Sequence, residues 1–234
     1  MNSMKKTARL VGLLYLVWII SGLFGLMYVP SKIIVREDAV ATANNILANE
    51  FLFRTYIVNG LLSITLWVVI VLLLYRMLKP VSERQAKLMV ALVLVQIPTE
   101  FVMDAFNITS LMILKGEVLK TFDLNQRQDF AMLFLRINDY GILALELFWG
   151  LWLLPLAILV YRSRFLPRFV GVWLMVNGIA YVVLSFTSLL LPQYRDTVFT
   201  ISFPAMLAEV VFMLWLLIMG AKPQPSVDTA VAVG

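Results

Sequence analysis

The sequence predicts an all-α, polytopic membrane protein, a bundle of six transmembrane helices. Three observations predict it. Of the 234 residues, 62% are hydrophobic and 14% charged, whereas a soluble domain averages about 45–50% and about 25%. Six apolar runs each reach the roughly 20 residues that a helix needs to cross a ~30 Å hydrocarbon core. The runs lack the period-two alternation of a membrane β-strand, and in lipid every backbone polar group must be satisfied within the span.

The runs lie near residues 10–29, 56–74, 88–114, 140–161, 169–191 and 201–221. The first follows Lys5, Lys6 and Arg9 as a signal peptide's apolar stretch would. It is long enough to span and no small-residue cleavage site follows, so it reads as an uncleaved first helix. Between the first and second runs, Val40, Ala43, Leu47 and Phe51 fall on one helical face. That pattern fits a short helix lying at the membrane surface, or equally an ordinary solvated loop helix. The next connectors carry basic residues and Pro. The segment KGEVLKTFDLNQRQD, from Lys115 to Asp129, reads as a loop. Residues 1–221 form one membrane domain, and 222–234 (KPQPSVDTAVAVG) read as a short disordered tail.

Lys and Arg set the expected orientation. With both termini in the cytoplasm, eleven basic residues lie inside: Lys5, Lys6, Arg9, Arg76, Lys79, Arg84, Lys87, Arg162, Arg164, Arg168 and Lys222. Seven lie outside: Lys32, Arg36, Arg54, Lys115, Lys120, Arg127 and Arg195. The expected location is the inner (cell) membrane. The net charge of +5 is then a rim facing anionic lipid headgroups. No basic stripe with interleaved aromatics points to nucleic acid.

There is no Cys and no His. Thiolate and imidazole metal sites, Cys nucleophiles and His general bases are therefore excluded. No cofactor and no resident metal are expected. The chemistry that remains is carboxylate chemistry. On a helix, Gln96, Glu100, Asp104 and Asn107 fall within a stripe of about 80°. Arg136, Asp139 and Glu146 share a face of the fourth run, and Arg136 and Asp139 are spaced for an ion pair at i,i+3. Glu100, Glu146 and Glu209 lie roughly 18, 21 and 17 Å along their helices from the cytoplasmic ends, at ~1.5 Å per residue. An ionised group at that depth costs about 2.5–3.5 kcal/mol on insertion scales, unless it is protonated, paired or wet. The expectation is that Glu100 faces the interior near Glu209 or Glu146 and that at least one of these acids is protonated. Asp104 is expected nearer the outer interface, paired with Arg136. Pro98 removes the donor that the Leu94 carbonyl needs, so a kink is expected there, and Pro204 precedes Glu209 in the same way. Each residue also has a purely structural reading, since neutral acids and amides tie membrane helices together. Asn59-Gly60 and Asn177-Gly178 open similar stretches of the second and fifth runs, too little for an internal repeat.

Three stretches carry a resemblance: TARLVGLLYLVW near the start, Glu146–Val183 with its FLPR turn, and PAMLAEVVFMLWLLIMGAKP near the end. The chain resembles a family of bacterial six-helix membrane proteins catalogued as domain of unknown function 4386. The resemblance implies that Glu146 and Glu209 are motif positions and brings no substrate. It also implies a cytoplasmic hairpin in which Arg162, Arg164 and Arg168 meet headgroups around Phe165-Leu166. Three functions stay open. The first is binding or transport of a proton or a small solute through the intramembrane carboxylates, with a homodimer expected as partner. The second is a lipid-modifying enzyme with Mg²⁺ or Ca²⁺ held by Glu100, Asp104, Glu146 and Glu209. The third is a structural or regulatory subunit.

Overall fold

The structure, a computed structural model, describes residues 3–221. The tail expected at 222–234 and Lys222 lie outside the described residues. The chain forms α1 (Ser3–Leu23), a π-helical turn (Phe24–Tyr28), α2 (Val29–Ile33), α3 (Ala39–Ala48), α4 (Glu50–Leu78), α5 (Glu83–Leu94), α6 (Gln96–Leu114), α7 (Leu124–Arg162), α8 (Arg168–Leu190) and α9 (Arg195–Ile218). Six helical stretches are long and apolar enough to cross a membrane: Met4–Ile33, Glu50–Leu78, Glu83–Leu114, Leu124–Arg162, Arg168–Leu190 and Pro192–Ile218. The protein is an all-α, multi-pass membrane protein.

The largest difference from the sequence reading is at α7. It begins at Leu124 rather than near Tyr140, so the loop before it is short. Its start is a capping box: the Gln126 backbone N–H donates to Asp123 Oδ1 at 2.9 Å, and the Asp123 N–H donates to Gln126 Oε1 at 3.0 Å. Two end N–H groups are satisfied reciprocally, which fixes a helix start in a stretch that hydropathy alone reads as loop. At 39 residues the helix is roughly 58 Å long and outruns the hydrocarbon core.

The third span is divided at Val95, between α5 and α6, inside the turn that would close on the Pro98 nitrogen. Val95 keeps helical angles (φ −63, ψ −30), so the missing bond loosens the helix without ending it. α9 runs through Pro204 without a break. The Pro204 carbonyl accepts the Trp173 indole N–H at 3.1 Å. α7 carries a further proline, Pro155.

The chain divides into two compact units. Among the described residues, unit 1 comprises 3–16, 70–92 and 147–221, and unit 2 comprises 17–69 and 93–146. In unit 1, α8 and α9 pack along each other. Gly150 and Gly178 set the closest approach of α7 to α8: a Cβ at Gly150 would lie 2.5 Å from the Gly178 carbonyl oxygen. Small residues let membrane helices meet backbone to backbone, since no hydrophobic force draws them together in lipid. Gly220 follows the C-terminus of α9 with a φ of +69 that suits a residue without Cβ, and Arg9 Nη2 donates to the Ile218 carbonyl at 3.0 Å. The FLPR turn also folds within unit 1. Ser163 Oγ donates to the Val160 carbonyl at 2.8 Å and accepts from the Leu166 N–H at 3.2 Å. Phe165 and Leu166 are buried, Arg162, Arg164 and Arg168 are exposed, and the Arg168 guanidinium lies over the Tyr161 ring.

In unit 2, the core gathers Val29, Ile33, Ile46, Phe53, Leu111 and Leu135 with their neighbours. α3 starts on the Asp38 side chain, which accepts from the Ala41 N–H at 2.8 Å. It turns Thr42, Ala43 and Ile46 inward and packs on α2 and α6. Of the expected apolar face only Ala43 is buried, while Val40, Leu47 and Phe51 are exposed. Trp18 and Trp67 stack with centroids 4.3 Å apart. Ser21 and Asn59 tie α1 to α4: Ser21 Oγ donates to Asn59 Oδ1 at 2.8 Å, and Asn59 Nδ2 donates to the Ser21 carbonyl at 3.1 Å.

Candidate functional site

The polar stripe of α6 lies in unit 2. Gln96 and Asn107 are buried, Glu100 is half-buried, and Asp104 is 8% exposed. The sequence reading placed Asp104 nearer the outer interface than Glu100 and paired it with Arg136. No such pair closes among the described residues, and Asp104 packs against the α4 backbone. A Cβ at Gly60 would lie 2.6 and 2.7 Å from its two carboxylate oxygens. A Cβ there would force the carboxylate or the helix to shift. Asn107 flanks both Asp104 and the Tyr56 hydroxyl. Asp104 Oδ2 and Asn107 Nδ2 are buried and complete no hydrogen bond.

Beside Asn107 the unit holds a cavity of ≈ 50 Å³, lined by Val29, Pro30, Tyr56, Asn107, Asn138 and Asp139 among others. That volume suits a few water molecules or a small ion, given that one water needs about 10–15 Å³ of such space. Asn138 Nδ2 donates to the Met103 carbonyl at 3.3 Å and so fixes α7 against α6 beside the recess. Asp104 is one helical turn deeper than Asn107 and roughly 15 Å from the end of α6 at Leu114. Glu100 is a further turn in, on the same helical face as Asp104.

Asp139 is exposed at the cavity, in the field of Arg36 and Arg136. Arg136 is exposed, and the expected Arg136–Asp139 pair does not close to a salt bridge. Water competes for both side chains, so an exposed pair gains little by closing. Among the described residues no cation lies within salt-bridge distance of Glu100, Asp104 or Glu209.

Glu209 lies in unit 1, on α9, half-buried. Tyr15 Oη, on α1, donates to its Oε2 at 2.6 Å. Asn177 Nδ2, on α8, donates to its Oε1 at 3.2 Å. Tyr15 and Asn177 are fully buried, and the Tyr15 ring meets Phe212 edge-on. Glu146, on α7, is buried in unit 2. The divalent-metal alternative lacks its ligand set, since no group of three or more His, Cys, Asp or Glu side chains gathers among the described residues. Sequence reasoning missed Tyr15 and Asn177 as the partners of Glu209, and Tyr56 and Asn138 as neighbours of the α6 stripe. The Asn-Gly pairs were the available signal. In each the Asn bonds another helix and the Gly admits a close neighbour, Asp104 at Gly60 and the Gly150 backbone at Gly178.

No solved structure matches the chain. An uncharacterised protein from the archaeon Archaeoglobus fulgidus is 27% identical over 173 residues, covering 74% of this chain and 88% of that protein. The family described as "Domain of unknown function (DUF4386)" matches residues 10–220, nearly the whole of the described chain, and the protein belongs to that family.

Proposed function

We propose that this protein binds and passes a proton or a small cation through its intramembrane carboxylates. The observation that carries this reading is Asp104: a buried carboxylate against the Gly60 backbone, with Oδ2 unpartnered. Among the described residues it has no cation within salt-bridge distance, and a cavity of ≈ 50 Å³ lies one turn away. The low-dielectric surroundings make a carboxylate with one oxygen left unpartnered a strong point of attraction for a small positive species. The size of the recess favours a proton, a few waters or a bare cation over a lipid substrate. On the Lys/Arg asymmetry the recess opens outward, in an inner-membrane protein with cytoplasmic termini. Six helices are few for one carrier, so the working form is a homodimer.

The test is binding. Purified wild type in mild detergent, titrated with protons and with Li⁺, Na⁺ and K⁺, gains thermal stability with at least one of them, because a ligand that binds only the folded state raises stability by mass action. Asp104→Asn keeps the shape, removes the charge and abolishes the gain. Equal gains in wild type and Asp104→Asn contradict the reading.

A further inference from the structure

We infer that Glu209, Tyr15 and Asn177 form a second proton-binding site, in which a proton taken up by the Glu209 carboxylate is held between α1, α8 and α9. This does not rest on the Asp104 reading, because the two acids lie in different units and share no partner.

The hydrogen-bond inventory supports it. The ionised carboxylate accepts at both oxygens, from the Tyr15 hydroxyl at 2.6 Å and from the Asn177 amide at 3.2 Å. Asn177 is fully buried, yet its Oδ1 has no hydrogen-bond partner. A primary amide presents a donor and an acceptor of nearly the same shape. A proton bound at Oε1 turns that oxygen into a donor. The amide then turns over, so that Oδ1 accepts the new O–H. Nothing else breaks in the turn, because Oδ1 held no bond. Tyr15 continues to donate to Oε2 throughout. The only covalent change is one O–H bond formed on uptake and broken on release. Both charge states of Glu209 therefore find a partner in the same geometry, and the proton is exchanged without separating the helices.

The other groups around the set fit this use. The titratable side chains that act on it are Tyr15 from α1 and Tyr181 from α8, whose field falls on Tyr15. Trp149 of α7 packs edge-on against Tyr181 with centroids 6.0 Å apart. Among the described residues no Lys or Arg lies within salt-bridge distance to lock Glu209 in its charged form.

Infrared difference spectra of the protein in lipid, recorded between acid and alkaline pH, test the site. Wild type shows a protonated-carboxyl band at acid pH. Glu209→Gln loses it and Asp104→Asn retains it, which separates this site from the one in unit 2. Tyr15→Phe keeps the ring against Phe212 and removes one donor, so it shifts the band's frequency and its midpoint. A Glu209→Gln spectrum that keeps every carboxyl band overturns the inference. A Tyr15→Phe spectrum superimposable on wild type overturns it too, even if Glu209→Gln fails to fold.

Discussion

Replacing Gly60 with alanine probes the packing on which the Asp104 site depends. In an exposed helix, Gly→Ala is stabilising by about 1 kcal/mol, through lower backbone entropy in the unfolded chain. Here the new methyl would lie 2.6 and 2.7 Å from the Asp104 oxygens and 3.0 Å from its Cγ. Ordinary contact is about 3.5 Å, so the carboxylate or the helix must move by several tenths of an ångström. Overpacking of this kind costs about 1–3 kcal/mol. The sum predicts that Gly60→Ala is destabilising by roughly 0–2 kcal/mol in wild type. In an Asp104→Ala background the clash is gone, and the same change stabilises by about 1 kcal/mol. The double-mutant cycle then has a coupling term of about 1–3 kcal/mol. The assay is reversible unfolding in mixed micelles by SDS titration, followed through Trp fluorescence. A coupling near zero, with Gly60→Ala equally stabilising in both backgrounds, would refute the contact.

Other outcomes follow from the same geometry. Gly150→Ala sets a methyl 2.5 Å from a backbone oxygen, and because backbone cannot step aside, the same unfolding assay should show a loss of about 1–3 kcal/mol or more. Asp123→Ala removes the capping box of α7 and should cost about 1 kcal/mol, with hydrogen exchange faster over residues 124–127 and unchanged over α8. Single cysteines report orientation cleanly in a chain with no Cys of its own. One at Ser82 should react only from the cytoplasmic side, and one at Thr121 or Thr197 only from outside; the reverse pattern overturns the Lys/Arg argument.

The spans were legible because bilayer thickness imposes a length and a composition that any sequence must show. Their ends were less so. Hydropathy counts the charges of Leu124–Asp139 against a helix and is blind to the Asp123-x-x-Gln126 cap that starts one. Pro98 was readable because its missing N–H has a local consequence, the division of the helix at Val95. The carboxylate stripe of α6 followed from helical periodicity, which is also local. What surrounds the acids was not legible. Tyr15 and Glu209 are 194 residues apart, and no local rule pairs them. Arg136 and Asp139 went the other way: spacing suggested a pair, but both side chains are exposed, where solvation competes with closure. Ser163, an apparent surface residue of the FLPR turn, is buried because its hydroxyl holds the turn together.

Flux across a sealed membrane reads out passage of a proton or cation through the Asp104 site. Wild type, Asp104→Asn and Glu209→Gln are reconstituted into liposomes that enclose a pH-sensitive dye, and a proton or monovalent-cation gradient is imposed. Wild type should dissipate at least one of these gradients faster than protein-free vesicles, and Asp104→Asn should fall to the protein-free rate while remaining folded and inserted. Flux in Asp104→Asn equal to that of wild type, or no flux above protein-free vesicles under any gradient, would contradict passage through that site.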